Sequence, residues 1–315
     1  MQRRALLRLM LALPVVVAAG LPARGRGAGR GILYTANLRS SDVSVIDLSS
    51  GEELLRLDTP VNPHEFAVAF GGIVVTNYHD GVITLLDPSG GAGLSLPLGG
   101  QPHGIDGNGD WLAVTLGREG SVAFLDAHTG ATRTVVPVGV EPHMLAAWGD
   151  LAYVVDAGGD ELVAVDAAEG SVLRRVAVGS LPESLAMSPD ATTIAVGNAR
   201  SGDVSLVDTV SFTERLRAPV AGTPVRTAYS HDGQTLAVSL TDVDRVALMD
   251  PATGKTRALL PVGKRPDGLA YSGDGRLLYV ALTGERKVVA LRADNGRAVR
   301  DYATGDGPSG LLLVE

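Results

Sequence analysis

Residues 266–302 read PDGLAYSGDGRLLYVALTGERKVVALRADNGRAVRDY and hold one full copy of the pattern that decides the fold. Turn signals such as Gly273-Asp274-Gly275 separate short apolar runs. Such runs, bounded by Gly, Asp and Asn, are typical of β-strands joined by tight turns. The stretch therefore predicts four strands in one unit of about 40 residues, at 268–271, 278–282, 288–291 and 299–302.

The same unit recurs along the chain. A proline returns at intervals of 39 to 42 residues, at Pro63, Pro102, Pro142, Pro182, Pro224, Pro266 and Pro308. An aspartate ends an apolar run at Asp47, Asp87, Asp126, Asp166, Asp208 and Asp250, with Arg292 in the seventh place. Four strands per unit, repeated radially, is the pattern of a β-propeller.

The two ends of the chain complement each other. Three outer-strand patterns open it, at 32–37, 43–47 and 53–58, and a lone inner-strand pattern closes it at 309–314. Pairing these ends would remove the last free sheet edges, which otherwise promote aggregation. We therefore expect an all-β protein in which residues 32–315 form one seven-bladed β-propeller with four-stranded antiparallel blades. The alternative is an open solenoid.

The composition limits the class of protein. The chain has 315 residues, of which 45% are apolar and 20% charged, and this is a globular composition. It contains no cysteine, which excludes disulfides and thiolate metal sites. The formal net charge of −8 argues against a nucleic-acid partner.

The N-terminus reads as a targeting segment. Arg3, Arg4 and Arg8 precede an apolar run at 9–19, which is too short to span a membrane. Residues 1–24 therefore predict a signal peptide, similar to the twin-arginine type, followed by a flexible lead-in at 25–31. We expect a periplasmic or secreted protein with no membrane span after removal of the signal. An uncleaved membrane anchor is the alternative.

Two short stretches carry a family resemblance. Residues 277–282 read LLYVAL and residues 260–263 read LPVG. These units resemble the repeats of the YVTN family of propellers, and the resemblance extends over residues 31–315. It implies the same propeller fold that the repeat spacing predicts.

Histidines mark one mouth of the expected ring. The residues after the seven prolines begin the inner strands and surround that mouth; they are His64, His103, His143, Glu183, Val225, Asp267 and Ser309. His79 follows a second strand on the same face. Converging neutral imidazoles suit Zn²⁺ first and Cu²⁺ next. We therefore predict a metal site with the ligands His64, His79, His103 and His143.

Charged residues surround these histidines. A further ligand, or a hydrogen-bond partner for an imidazole, would come from the carboxylates Glu65, Asp80, Glu183 and Asp267. Arg226 and Arg265 are candidates for binding an anion. The structural alternative is that the histidines clamp each blade through hydrogen bonds.

The histidine-marked rim resembles that of periplasmic zinc-chaperone propellers. The resemblance implies a metal-binding protein that delivers zinc to a periplasmic solute-binding or other exported protein. We expect it to be a monomer and not an enzyme. One alternative is a binding scaffold for a protein or ligand. The other is a metal-dependent hydrolase or lyase with Glu65 or Glu183 as the base.

Overall fold

The computed structural model describes residues 30–315. The predicted signal peptide at 1–24 and residues 25–29 of the predicted lead-in lie outside the described residues. The described chain forms seven four-stranded antiparallel sheets arranged in a ring. Within this part of the chain, the helical segment is a single 3-10 turn, Gly117–Glu119. The prediction of an all-β, seven-bladed propeller is confirmed.

Each blade runs from an inner strand at the channel to an outer strand at the rim. Blade 1 contains β1 (Ile32–Asn37), β2 (Asp42–Asp47), β3 (Glu53–Asp58) and β28 (Pro308–Val314). Blade 2 contains β4 (Pro63–Ala69), β5 (Gly72–Asn77), β6 (Val82–Leu85) and β7 (Leu94–Pro97). Blade 3 contains β8 (Pro102–Gly107), β9 (Trp111–Leu116), β10 (Ser121–Asp126) and β11 (Thr132–Pro137). Blade 4 contains β12 (Pro142–Trp148), β13 (Leu151–Asp156), β14 (Glu161–Asp166) and β15 (Ser171–Ala177).

The last three blades repeat this order. Blade 5 contains β16 (Pro182–Met187), β17 (Thr193–Asn198), β18 (Asp203–Asp208) and β19 (Thr213–Pro219). Blade 6 contains β20 (Pro224–Tyr229), β21 (Leu236–Leu240), β22 (Arg245–Met249) and β23 (Thr256–Pro261). Blade 7 contains β24 (Pro266–Tyr271), β25 (Leu277–Leu282), β26 (Lys287–Arg292) and β27 (Ala298–Ala303). Each recurrent proline begins an inner strand, so the residues that follow it surround one mouth of the channel.

Blade 1 is built from both ends of the described chain. β28 pairs antiparallel with β1, with Val314 opposite Ile32, and the register shifts between Thr35 and Asn37. The ring closes through this pairing, as the sequence predicts. The pairing also covers the edges that β1 and β28 would otherwise expose.

The recurrent aspartates explain the regular hairpins between third and fourth strands. Asp126 Oδ1 accepts hydrogen bonds from the backbone N–H groups of His128 and Thr129, two and three residues later. Such Asx turns fix the chain reversal locally. Asp47, Asp166, Asp208 and Asp250 form the same pair of bonds. Arg292, in the seventh place, instead pairs with Asp294 at 2.7 Å.

The apolar core lies between neighbouring blades. Trp111 and Phe124 of blade 3 pack with Val154 and Val163 of blade 4 in one cluster. A second cluster joins Tyr279 of blade 7 to blade 1. Because each blade covers its neighbour, the core is a ring of contacts around the channel.

Inner strands approach each other closely where glycine follows the mouth residue. A Cβ atom on Gly310 would lie 1.9 Å from the carbonyl oxygen of His64 in blade 2. A Cβ atom on Gly268 would lie 2.0 Å from the Ser309 carbonyl oxygen. These glycines therefore allow a narrow channel. The described residues include no helix that is long and apolar enough to cross a membrane.

Candidate functional site

Three of the four predicted histidines meet at the channel mouth. His64, His103 and His143 occupy the first position after the proline on β4, β8 and β12. The ring centroids of His64 and His103 are 4.3 Å apart, and those of His103 and His143 are 3.8 Å apart. The last pair is stacked, with an interplanar angle of 30°. The three imidazoles form a continuous row along one side of the mouth, called the stack below, in which the His64 ring is tilted by 45° against that of His103.

His79 does not join the stack. The ring of Tyr78 lies 5.6 Å from that of His64 and 5.9 Å from that of His103. The His79 ring lies 5.3 Å from Tyr78, and its side chain is exposed. Tyr78 therefore separates His79 from the stack.

Each stacked histidine has different hydrogen-bond partners. His64 Nε2 lies 2.9 Å from Asn62 Oδ1. His143 Nδ1 lies 2.7 Å from the carbonyl oxygen of Glu183 in the next blade. Because a carbonyl only accepts, Nδ1 of His143 carries the proton and Nε2 keeps its lone pair. His103 Nδ1 is buried and has no partner among the described residues. The three histidines therefore do not form the same hydrogen bond in each blade, as the structural alternative would require.

Burial keeps the stack uncharged. It lowers the pKa of His64 to about 3, helped by the nearby Arg226 guanidinium. Burial and the same arginine lower the pKa of His143 to about 4. The pKa of His103 falls well below its usual value because of burial and its two histidine neighbours. Neutral imidazole is the form that ligates metals.

A buried arginine crosses the channel one residue deeper along the strands. Arg226 of blade 6 forms a 2.8 Å ion pair with Glu65 of blade 2 and a 3.5 Å ion pair with Asp267 of blade 7. The side chains of Arg226 and Glu65 are only 11% and 15% exposed. Ser309 Oγ donates a 2.8 Å hydrogen bond to Asp267 Oδ2. Arg226 therefore joins blades on nearly opposite sides of the ring, and its ion pair with Glu65 spans the channel next to the histidines.

The network around Arg226 holds one basic group and three acidic groups. Burial raises the pKa of Glu65 and of Glu183, against the opposing effect of Arg226. Burial alone would lower the pKa of Arg226, but Asp267, Glu65 and Glu183 outweigh it and raise that pKa. The single positive charge of Arg226 is therefore shared among three carboxyl groups.

The remaining predicted residues fall into different roles. The Arg226 guanidinium is engaged by carboxylates, so it faces protein groups rather than a free anion. Asp80 Oδ2 accepts the backbone N–H of Val61 at 2.6 Å and braces a rim loop. Arg265 is exposed, and its backbone N–H bonds to Asp244.

The geometry does not support a simple zinc or copper centre. Across residues 30–315, no group of three or more His, Asp or Glu residues is arranged to hold a metal ion. A tetrahedral site needs ligand atoms that point at one centre, whereas these imidazoles face one another. The sequence correctly predicts that His64, His103 and His143 meet, but the arrangement of their rings keeps the ring nitrogens from pointing at one metal ion.

The fold and this histidine mouth define an all-β propeller with a candidate ligand site on its axis. By its match to the cytochrome D1 heme domain over residues 106–313, the chain belongs to that family. A comparison with curated proteins found no match.

Solved structures share the propeller fold at low identity. A functionally unknown protein from Desulfotomaculum acetoxidans aligns with a TM-score of 0.76 at 12% identity, covering 90% of this chain and 99% of that one. Hydrazine synthase of Kuenenia stuttgartiensis aligns with a TM-score of 0.74 at 18% identity, covering 87% and 98%. The dihydro-heme d1 dehydrogenase NirN, solved in complex with DHE, aligns with a TM-score of 0.66 at 15% identity, covering 94% and 78%. At these identities the likeness concerns the fold alone.

Three observations test whether the mouth fits a heme-type group. His143 has the tautomer of an iron ligand, since its Nδ1–H donates to a carbonyl and its Nε2 keeps a lone pair. The ion pair between Arg226 and Glu65 spans the channel, so the place for a macrocycle would be across the mouth. Beside the mouth, Val61 and Val140 are 47% and 68% exposed and offer apolar surface. The donor group of His143 therefore fits a heme-type ligand, and the rim of the mouth is the place where such a ligand would lie.

Sequence reasoning missed Tyr78 and the inward course of Arg226. Arg226 follows the mouth residue Val225, and Glu65 likewise follows His64. The shared position of Glu65 and Arg226 in their repeats is the signal that could have indicated a cross-channel pair.

Proposed function

We propose that the histidine-lined mouth binds an iron tetrapyrrole of the heme type, with His143 as a ligand to the iron. The observation that carries this proposal is the 2.7 Å hydrogen bond from His143 Nδ1 to the Glu183 carbonyl oxygen. This bond fixes the tautomer and the ring orientation that metal ligation requires. Membership of the cytochrome D1 heme domain family supports the same class of ligand.

The other residues of the mouth hold and shield that ligand. His103 packs flat against His143 and limits its rotation. Arg226 and Glu65 span the channel next to the histidines, so the ligand would be approached from the open side of the mouth. Val61 and Val140 would offer apolar contacts to a planar ring bound at the mouth. When bound, an iron tetrapyrrole supplies a centre for electron transfer or small-molecule binding.

Export is part of the proposal. Its support is the basic and apolar pattern of residues 1–24, together with the typically periplasmic location of cytochrome d1 domain proteins. The partner predicted from the sequence, a periplasmic solute-binding or other exported protein that receives zinc, stays a prediction.

The test is a titration of the purified full-length chain with hemin, followed by the Soret absorption band. We expect one equivalent to bind, with a histidine-ligated iron spectrum that His143→Ala abolishes. His128→Ala is the matched control, because His128 lies in an exposed turn between β10 and β11. Equal binding by His143→Ala, or no binding by the unmodified chain, would refute the assignment.

The same preparation tests the zinc and copper hypothesis. Neutral imidazoles also ligate these ions. Titration with Zn²⁺ and Cu²⁺ after chelation would show one tight equivalent if His64, His103 and His143 rearranged around an ion. Tight binding of zinc without hemin would favour the metallochaperone over the heme-type ligand.

A further inference from the structure

Two buried threonines lie directly behind the histidine stack. Thr115 Oγ1 accepts the backbone N–H of Gly104 at 2.8 Å and donates to the carbonyl oxygen of His143 at 2.7 Å. Thr76 Oγ1 accepts the N–H of Glu65 at 3.0 Å and donates to the carbonyl oxygen of His103 at 2.8 Å. Each hydroxyl therefore ties the inner strand of its own blade to the histidine of the next blade.

This bridge occurs only at the histidine sector of the described ring. Thr76 and Thr115 each precede the residue that pairs with the recurrent proline of their blade. The same register position holds Ala36, Val155, Gly197, Ser239 and Ala281 in the other blades. Of these five only serine has a hydroxyl, and the Ser239 Oγ atom is buried without a partner. The propeller fold itself therefore does not require the bridge.

We propose that Thr76 and Thr115 are positioning residues for the ligand site, which set the stacked geometry of His103 and His143. The two threonines set this geometry in the protein without ligand, and their effect on ligand affinity rests on the proposed function. Both threonines are fully buried, so water cannot replace their hydroxyls. Without the hydroxyl, a histidine carbonyl and a neighbouring N–H lose their partners and the strands shift to satisfy them.

The stack is sensitive to such a shift. The ring centroids of His103 and His143 are only 3.8 Å apart. The Nδ1–H of His143 must also reach the Glu183 carbonyl at 2.7 Å. A displacement of the His143 backbone therefore changes both the stacking and the hydrogen bond that selects the tautomer.

The experiment compares Thr115→Val, which keeps the shape, with Thr115→Ser, which keeps the hydroxyl. In the apo full-length chain, NMR of the imidazole ring protons reports the stacking through ring-current shifts. We expect Thr115→Val to move the His143 and His103 signals and Thr115→Ser to restore them. Hemin affinity should weaken about 10-fold or more in Thr115→Val, as for other residues that orient a metal ligand.

Ser239→Ala is the matched control, because it removes a buried hydroxyl at the same register position in blade 6, which carries no mouth histidine. It should leave the imidazole signals and hemin affinity unchanged. Thr76→Val makes a second test at His103, in case one valine variant does not fold. Unchanged imidazole signals in folded Thr76→Val and Thr115→Val would overturn the positioning role. Shifted signals in a protein that never binds hemin would support positioning and overturn only the proposed function.

Discussion

Replacing Arg226 with methionine should destabilise the ring strongly. The substitution keeps much of the side-chain volume but removes the guanidinium that faces Glu65 at 2.8 Å and Asp267 at 3.5 Å. At 2.8 Å the gross attraction is about 6 kcal/mol with an effective dielectric constant near 20, before desolvation is subtracted. Removing one partner of a buried pair costs about 3–5 kcal/mol, because the other charge stays buried. We expect a loss of that size at neutral pH.

The loss should depend on pH in a definite direction. Burial already raises the pKa of Glu65, and Arg226 opposes that rise. Without Arg226 the pKa of Glu65 rises further, so the folded variant binds a proton more readily than the unfolded chain. Its stability therefore increases as the pH falls through the raised pKa. The difference from the unmodified protein should be largest near pH 7.5 and smaller near pH 5.

Urea unfolding followed by tryptophan fluorescence measures this difference. Trp111 is buried, and its ring lies 5.6 Å from that of Phe124, so its emission reports loss of the core. Arg257→Met is the control, because its 2.7 Å pair with Asp250 lies at the surface and should matter far less. Equal losses of stability in both variants, or an Arg226→Met loss that is the same at both pH values, would contradict this explanation.

Two further predictions concern the inner strands and the stack. Gly310→Ala would place Cβ 1.9 Å from a backbone oxygen and should cost more than ~3 kcal/mol by thermal unfolding. Gly117→Ala, whose Cβ would lie 3.5 Å from its nearest neighbour, should be tolerated, and equal losses would contradict the packing argument. The pKa values of His64 and His143 are lowered to about 3 and about 4 in the folded protein. As the pH falls, these two histidines therefore take up protons in the unfolded chain before they do so in the folded one. The contribution of the two neutral histidines to the free energy of unfolding should be fully present above about pH 6.5 and decline as the pH falls towards 4. His64→Gln and His143→Gln should flatten that decline in urea titrations, and an unchanged pH dependence would refute it.

The repeat spacing predicted the fold well because each landmark has a local cause. The prolines mark the starts of inner strands, and the aspartates accept hydrogen bonds within their own hairpins. Such features depend on residues a few positions apart, so a sequence pattern exposes them. Even the closing pair β1 and β28 could be inferred, since the two chain ends lacked complementary strands.

The site was predicted only in part, because its details depend on contacts between distant residues. The spacing correctly brought His64, His103 and His143 to one mouth. It could not reveal that the rings stack instead of converging, since rotamers depend on Tyr78 and on neighbouring blades. Arg226 and Glu65 are 161 residues apart and meet across the ring, so no local pattern pairs them. Arg226 therefore looked like an anion-binding residue.

The shared blade has a consequence for how the molecule is made. Because β28 pairs with β1, blade 1 is incomplete until β28 has been synthesised. Arg39 and Asp306, 267 residues apart in sequence, form an ion pair between these two parts of the chain. Such a non-local final step slows folding and leaves strand edges exposed to other chains meanwhile. A circular permutant that joins residue 315 to residue 32 and opens the chain between β3 and β4 would make every blade contiguous. It should reach the native ring faster and aggregate less during refolding, while keeping the same histidine mouth.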